Sequence, residues 1–225
     1  MQYFTAYYRQ SEAGSLVSVL LQQVYHKKRK LPVILACISE EGDIPWTRDT
    51  EPPQEGRELL YQLSDWFYGT GLSLCSRPGE RGMTAAADSL LQRLYEIRGK
   101  RKELTACHLT GILCVGQRVL LFWQGEQQFH LLNTRNHRPY CQELQLGEQD
   151  EDGVHFQLGT IQRGAAVLLA TKGFNSCLSA QKRQECLNVR EIHSQEQSER
   201  RLKELGLCCE AEKGSGLGAV LIVAG

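Results

Sequence analysis

Val167-Leu168-Leu169-Ala170-Thr171-Lys172-Gly173-Phe174 is the stretch from which the fold is read. Its first half is apolar and of strand length, and Thr171 to Gly173 turn the chain with a cation at the centre of the turn. The spacing predicts a strand over 166–171, with further strands over 154–159 and 217–224. Between the last two, the chain from Ser194 onward is charged and helical, with Glu199, Arg200, Arg201, Lys203 and Glu204 around Leu202 and Leu205.

Upstream lies a β-meander. Leu109 to Val115 turns at Gly116-Gln117, returns as Val119 to Trp123, and turns again near Gly125 into Phe129 to Leu132. Before it, Leu59, Leu60, Leu63, Trp66 and Phe67 form a helical stripe predicted to end near Gly69. A second helix is predicted over 84–97, with Ala87, Leu90, Leu91, Leu94 and Tyr95 on its inner face. Residues 2–8, 15–24 and 32–38 read as three early strands. The basic cluster His26 to Lys30 between the last two is a solvated hairpin tip rather than a nucleic-acid site. The order predicts an α+β fold, two antiparallel sheets packed as a β-sandwich with helices outside, in one domain over 1–225.

Composition narrows the function. Twenty-six basic and 26 acidic residues cancel, so no global field argues for nucleic acid or an anionic membrane. The nine cysteines include no Cys-x-x-Cys pair, and most sit in apolar stretches, which fits a reducing cytoplasm. The start, Met1 to Thr5, lacks the features of a signal peptide, and no run reaches about 18 uninterrupted apolar residues. A soluble cytoplasmic protein is expected.

Several segments, taken in order, resemble the metal-dependent (PPM, type-2C) serine/threonine protein phosphatases, the compact bacterial members in particular. The opening segment 167–174 is similar to that family's L-L-x-T/S-D-G-F, with Lys172 at the metal-holding Asp. Glu12-Ala13-Gly14-Ser15 resembles N-x-D-S, with Gly14 at the Asp. Leu35 to Gly42 resembles the strand into D-G-M-G-G, with Glu40 at the Asp and Glu41 at the Gly; a one-residue shift would put Ser39 there instead. Gly125-Glu126-Gln127-Gln128 resembles the G-D-S-R turn. Ser215 to Ile222 resembles the closing D-N-I-T-A-x-L-I strand, with Ser215 at the last Asp.

The resemblance implies a scaffold kept while its acidic ligands are replaced. Metal-assisted phosphate hydrolysis needs two divalent ions, hard oxygen ligands and a bridging water. A lysine facing a dication costs on the order of 8 kcal/mol at about 4 Å and an effective dielectric near 20. The sequence therefore implies a pseudophosphatase with no cofactor, acting as a binding or regulatory module. Its expected partner is a serine/threonine kinase or a phosphoprotein. In this reading the Lys172 ammonium stands where metal would sit, paired with Glu40 or Glu41; otherwise Lys172 points into solvent. The rival is an active Mn- or Mg-dependent phosphatase using Glu40, Glu41, Asp43 or Glu126 as substitute ligands.

Other signals weigh less. The glycines of 214–218 lead into a strand, not the helix a nucleotide loop needs. Cys107-His108 and Cys208-Cys209 lack zinc-module spacing and read as buried structural thiols, and a cysteine hydrolase would need a hyper-reactive thiol. His130 and His155 read as sheet residues.

Overall fold

The computed structural model describes residues 1–10, 17–26, 30–41, 55–77, 79–100, 107–125, 128–135, 138–144, 153–212 and 214–225. Ten strands build two sheets. One holds β1 (Tyr3–Arg9), β10 (Gly218–Ala224), β9 (Ala166–Ala170), β6 (Gln128–Arg135) and β7 (Arg138–Glu143), in that order. The other holds β2 (Val17–His26), β3 (Leu31–Glu40), β4 (His108–Val115), β5 (Arg118–Gln124) and β8 (His155–Thr160). All neighbouring strands are antiparallel.

The two-residue period of a strand explains the layers. In β3, Ile34, Ala36 and Ile38 face the other sheet and meet Val167, Leu169, Val220 and Ile222. Val33, Leu35 and Cys37 face the opposite way, onto α1 (Glu55–Trp66) and α3 (Glu80–Lys100). Across the sandwich, Ala166, Leu168 and Ala170 of β9 with Leu221 and Val223 of β10 face a second helical layer. That layer contributes Leu202, Leu205 and Cys209 of α6 (Gln195–Ala211) and Phe174 of α4 (Lys172–Ser176). The central strands are thus buried on both faces, which is why β9 and β10 read as continuous apolar runs rather than as alternating ones. The fold is α+β, two five-stranded antiparallel sheets between helices.

Several local expectations are corrected. The first helix does not stop near Gly69: α1 passes into a π-helical turn, Phe67–Gly71, and then α2 (Leu72–Cys75). Phe67 is fully buried, and a Cβ on Gly71 would lie 3.0 Å from the Trp66 ring. Gly71 therefore serves close packing inside a continuing helix, and Gly69, where a Cβ would meet nothing within 4 Å, does not end it. The second helix is longer than 84–97, and Tyr95, placed on its inner face, is 57% exposed. A tyrosine carries an apolar ring and a polar tip, so the periodic pattern alone misfiled it. Strand β7, helix α4 and helix α5 (Ala180–Cys186) were not expected. Residues 27–29 of the basic cluster lie outside the described residues. Among the described residues, no helix is long and apolar enough to cross a membrane.

Candidate functional site

The register brings the predicted segments to one pole of the sandwich. Ala170, which ends β9, pairs with Ala219 near the start of β10, while Glu40, which ends β3, lies between Val17 of β2 and His108 of β4. The loops leaving these strand ends interlock through Thr171. Its hydroxyl donates to the Gly216 carbonyl at 2.7 Å and accepts from the amides of Gly218 at 3.1 Å and Phe174 at 3.3 Å. The last of these caps α4, and it is a reason the five-residue helix starts at Lys172.

Two glycines permit the approach. Gly216 has φ +63°, a left-handed conformation that favours glycine. A Cβ on Gly173 would lie 2.0 Å from the Ser215 carbonyl oxygen. Gln10 ties down the same loop: its amide donates to the Leu217 carbonyl at 2.9 Å, and its side chain donates to the Gly214 carbonyl at 3.3 Å. Thr171→Val keeps shape but leaves two amides and a carbonyl unpaired in a fully buried place. The expected loss is about 2–3 kcal/mol, read by chemical unfolding, whereas Thr171→Ser should lose well under half of that.

Alternation along β3 separates the three acid candidates. Glu40 continues the inter-sheet face of Ile34, Ala36 and Ile38, and its Oε1 is 3.0 Å from where a Gly216 Cβ would stand. Ser39 and Glu41 lie on the opposite, helical face: a Cβ on Gly56 would meet both Ser39 Oγ and Glu41 Oε1. Glu41 Oε1 accepts from the Gly56 amide at 2.7 Å, at the start of α1, and Cys107 donates to its Oε2 at 3.4 Å. Glu41 is therefore not placed as the counter-ion to Lys172, because its carboxylate anchors α1 instead. Glu40 stands on the face that meets the Ser215-Gly216 loop. Lys172 and Ser215 have exposed side chains. Gly14, Asp43 and Glu126 lie outside the described residues.

Burial raises the pKa of Glu41 above its ordinary value, against the opposing pull of its hydrogen bonds to Gly56 and Cys107, and the nearby Glu55 raises it further. A raised folded-state pKa means that the protonated form favours folding. The group's contribution is fully present below the unfolded carboxylate pKa and is lost as pH rises through the folded value. Glu41→Gln should raise Tm at pH 7 and give a flatter Tm profile between pH 4 and 7 than wild type. An unchanged slope would mean that Glu41 does not carry it.

No protein-family model matches the chain, and no curated protein sequence does. Solved structures do. The serine/threonine phosphatase of Streptococcus agalactiae superposes with a TM-score of 0.65 at 11% identity, covering 100% of both chains. The fold is that of the PPM-type phosphatases. The Mycobacterium tuberculosis serine/threonine phosphatase PstP gives a TM-score of 0.57 at 16% identity, covering 99% of this chain and 98% of that one. Its catalytic domain has also been solved with two manganese ions. PppA, a regulatory component of the type VI secretion system in Pseudomonas aeruginosa, gives 0.57 at 12% identity, covering 100% of this chain and 99% of that one.

Of the positions singled out by the resemblance, Glu40 brings a carboxylate to the pole, Ser215 a neutral hydroxyl and Lys172 a cation. Among the described residues, no group of three or more His, Cys, Asp or Glu side chains is placed to hold a metal ion. The sequence reading placed Thr171 in the turn but missed its capping bonds, and it missed Gln10 and His108 as parts of the pole. Thr171 was legible as a helix cap, since Ser, Thr, Asp and Asn mark helix starts, whereas Gln10 and His108 carry no local signal.

The thiols read as structural. Burial, reinforced by Glu41, raises the Cys107 pKa, and burial pushes Cys209 up to about 12, the opposite of an activated nucleophile. His130 is buried, with Nε2 2.8 Å from Asn175 Oδ1, and burial and the Arg183 charge lower its pKa. His155 stacks on Trp123 with ring centroids 5.5 Å apart.

Proposed function

We propose that this chain is a phosphatase-fold module without phosphatase chemistry, which binds a partner in serine/threonine phospho-signalling. The observation that carries this reading is the Thr171-Lys172-Gly173 turn, packed against the Ser215-Gly216 loop at the pole that Glu40 closes. An ammonium there repels the divalent ions that metal-assisted hydrolysis needs, and it favours carboxylate or phosphate oxygens of a protein ligand. A kinase or a phosphoprotein has the matching chemistry. The same charge supports the reading of Lys172 as a built-in cation beside Glu40.

The rival is a working manganese or magnesium enzyme, and the two manganese ions in the PstP domain favour it. It would have to draw ligands from Asp43 and Glu126 in addition to Glu40, since Glu41 is engaged at the start of α1. Titration of the full chain with Mn²⁺, followed by electron paramagnetic resonance of the free ion, separates the two. The proposal predicts no saturable uptake up to millimolar Mn²⁺. Uptake of two ions per chain would overturn it.

A further inference from the structure

An edge strand carries backbone donors and acceptors that a further strand can take up, and proteins usually guard such edges with charges or proline. Here one sheet ends in β1 and β7 and the other in β2 and β8. Five of the six residues of β8 are exposed, against two of seven in β1 and two of ten in β2. Its sequence, His155-Phe156-Gln157-Leu158-Gly159-Thr160, holds no Asp, Glu, Lys, Arg or Pro, whereas β7 holds Arg138, Pro139 and Glu143. The edge of β8 is therefore unguarded.

One face of β8 is apolar. Val154, just before the strand, belongs to the core under α1 and α3, and Phe156 and Leu158 follow in the same phase. They stand opposite Phe122 and Leu120 of β5, which that core buries, yet they are 48% and 47% exposed. The other face carries Gln157 and Gly159. Nothing inside the chain needs a glycine at 159: its φ is not in the left-handed region, and an added Cβ would meet Val119 at 3.5 Å, an ordinary contact. A glycine inside a strand, without such an internal reason, leaves space for another chain to approach.

We propose that β8 pairs with β8 of a second copy of this chain, antiparallel about a two-fold axis at Gln157, so that the sheet of β2, β3, β4, β5 and β8 runs on into its counterpart. The strand is self-complementary in this register. Phe156 stands opposite Leu158 of the second copy and Leu158 opposite its Phe156, two aromatic–aliphatic cross-strand pairs on one face. Gly159 stands opposite His155 of the second copy and leaves room for that ring, which is stacked on Trp123. Neither strand brings a charge to the contact, and the zero formal net charge of the chain sets no long-range repulsion between two copies. A single strand pair falls below the roughly 1,200 Å² of stable complexes, so the dimer is transient. β4 and β5 lie between β8 and Glu40 of β3, and the inference does not rest on the reading of the Lys172 pole.

The test is sedimentation equilibrium of the full chain from micromolar to millimolar concentration. The expected result is a mass that rises with concentration from one chain toward two. Phe156→Lys/Leu158→Lys sets lysine opposite lysine twice across the axis and should weaken association by about tenfold or more. Phe156→Lys/Leu158→Glu sets each lysine opposite a glutamate and should associate more tightly than the double lysine variant. Both side chains are half exposed, so the Tm of each variant should stay near that of the wild type. A wild type that remains monomeric at millimolar concentration overturns the proposal and leaves the edge to a strand of another protein. Unchanged association of the double lysine variant puts the interface elsewhere and also overturns it. Equal association of the two variants overturns the register.

Discussion

Phe174→Ala should destabilise the protein by about 3–5 kcal/mol, the usual cost of removing a fully buried aromatic side chain. Phe174 is 0% exposed and sits in the core that joins β9 and β10 to α6, with its ring centroid 6.2 Å from that of Tyr8. It is also the third residue of α4, whose first residue is Lys172. The loss therefore falls on the element that fixes the turn at the candidate site. For a chain of this size the corresponding drop in Tm is roughly 10–15 °C. Phe174→Leu keeps most of the buried apolar volume and should cost less than half as much. A drop of only a few degrees for Phe174→Ala would mean that α4 is not docked as described.

Gly173→Ala should be nearly as damaging, although it adds a single methyl group. The new Cβ would stand 2.0 Å from the Ser215 carbonyl oxygen and 3.1 Å from that of Gly216. Both obstacles are backbone, so no side-chain rotation relieves them, and the two loops must separate. Overpacking of this kind costs about 1–3 kcal/mol and can exceed that where the backbone cannot yield. The upper part of the range is expected, with a Tm drop of roughly 5–10 °C. Separation of the loops also breaks the Thr171 bonds to the Gly216 carbonyl and the Gly218 amide, so the Gly218 amide should exchange faster with solvent. A wild-type Tm with unchanged exchange would contradict the packing of this turn. Gly99→Ala, where an added Cβ meets nothing within 4 Å, is the control and should leave stability the same or slightly higher.

Most of the fold was legible in the sequence because the central strands are buried on both faces. Val167 to Ala170 and Ala219 to Ala224 are apolar without interruption, and that pattern survives without knowledge of the neighbours. Strand β7, Arg138–Glu143, was not legible: it is an edge strand with Pro139 and mostly polar residues, so no period shows. Helices α4 and α5 are too short for a periodic stripe. Their starts carry a weaker signal in the caps Thr171 and Ser179, whose hydroxyls accept from Phe174 and Lys182.

The site was legible in part. Which of Ser39, Glu40 and Glu41 faces the other sheet is a matter of one-residue phase, and the sequence leaves that phase open. The contacts of Ile38 and Gly216 settle that Glu40 does, and the amide of Gly56 holds Glu41 on the helical side. Pairing at long sequence separation was also hidden: Gln10 reaches Leu217, and His108 stands opposite Glu40.

The central claim is that the cation at position 172 goes with loss of metal-dependent hydrolysis. Its most direct test is turnover of an aryl phosphate monoester across a titration of Mn²⁺ and Mg²⁺, with Lys172→Asp measured in parallel. The account predicts no metal-dependent turnover by the wild-type chain at any concentration of either ion. Saturable Mn²⁺- or Mg²⁺-dependent turnover by the wild type, abolished by chelator, would contradict it and assign the site's ligands to other carboxylates.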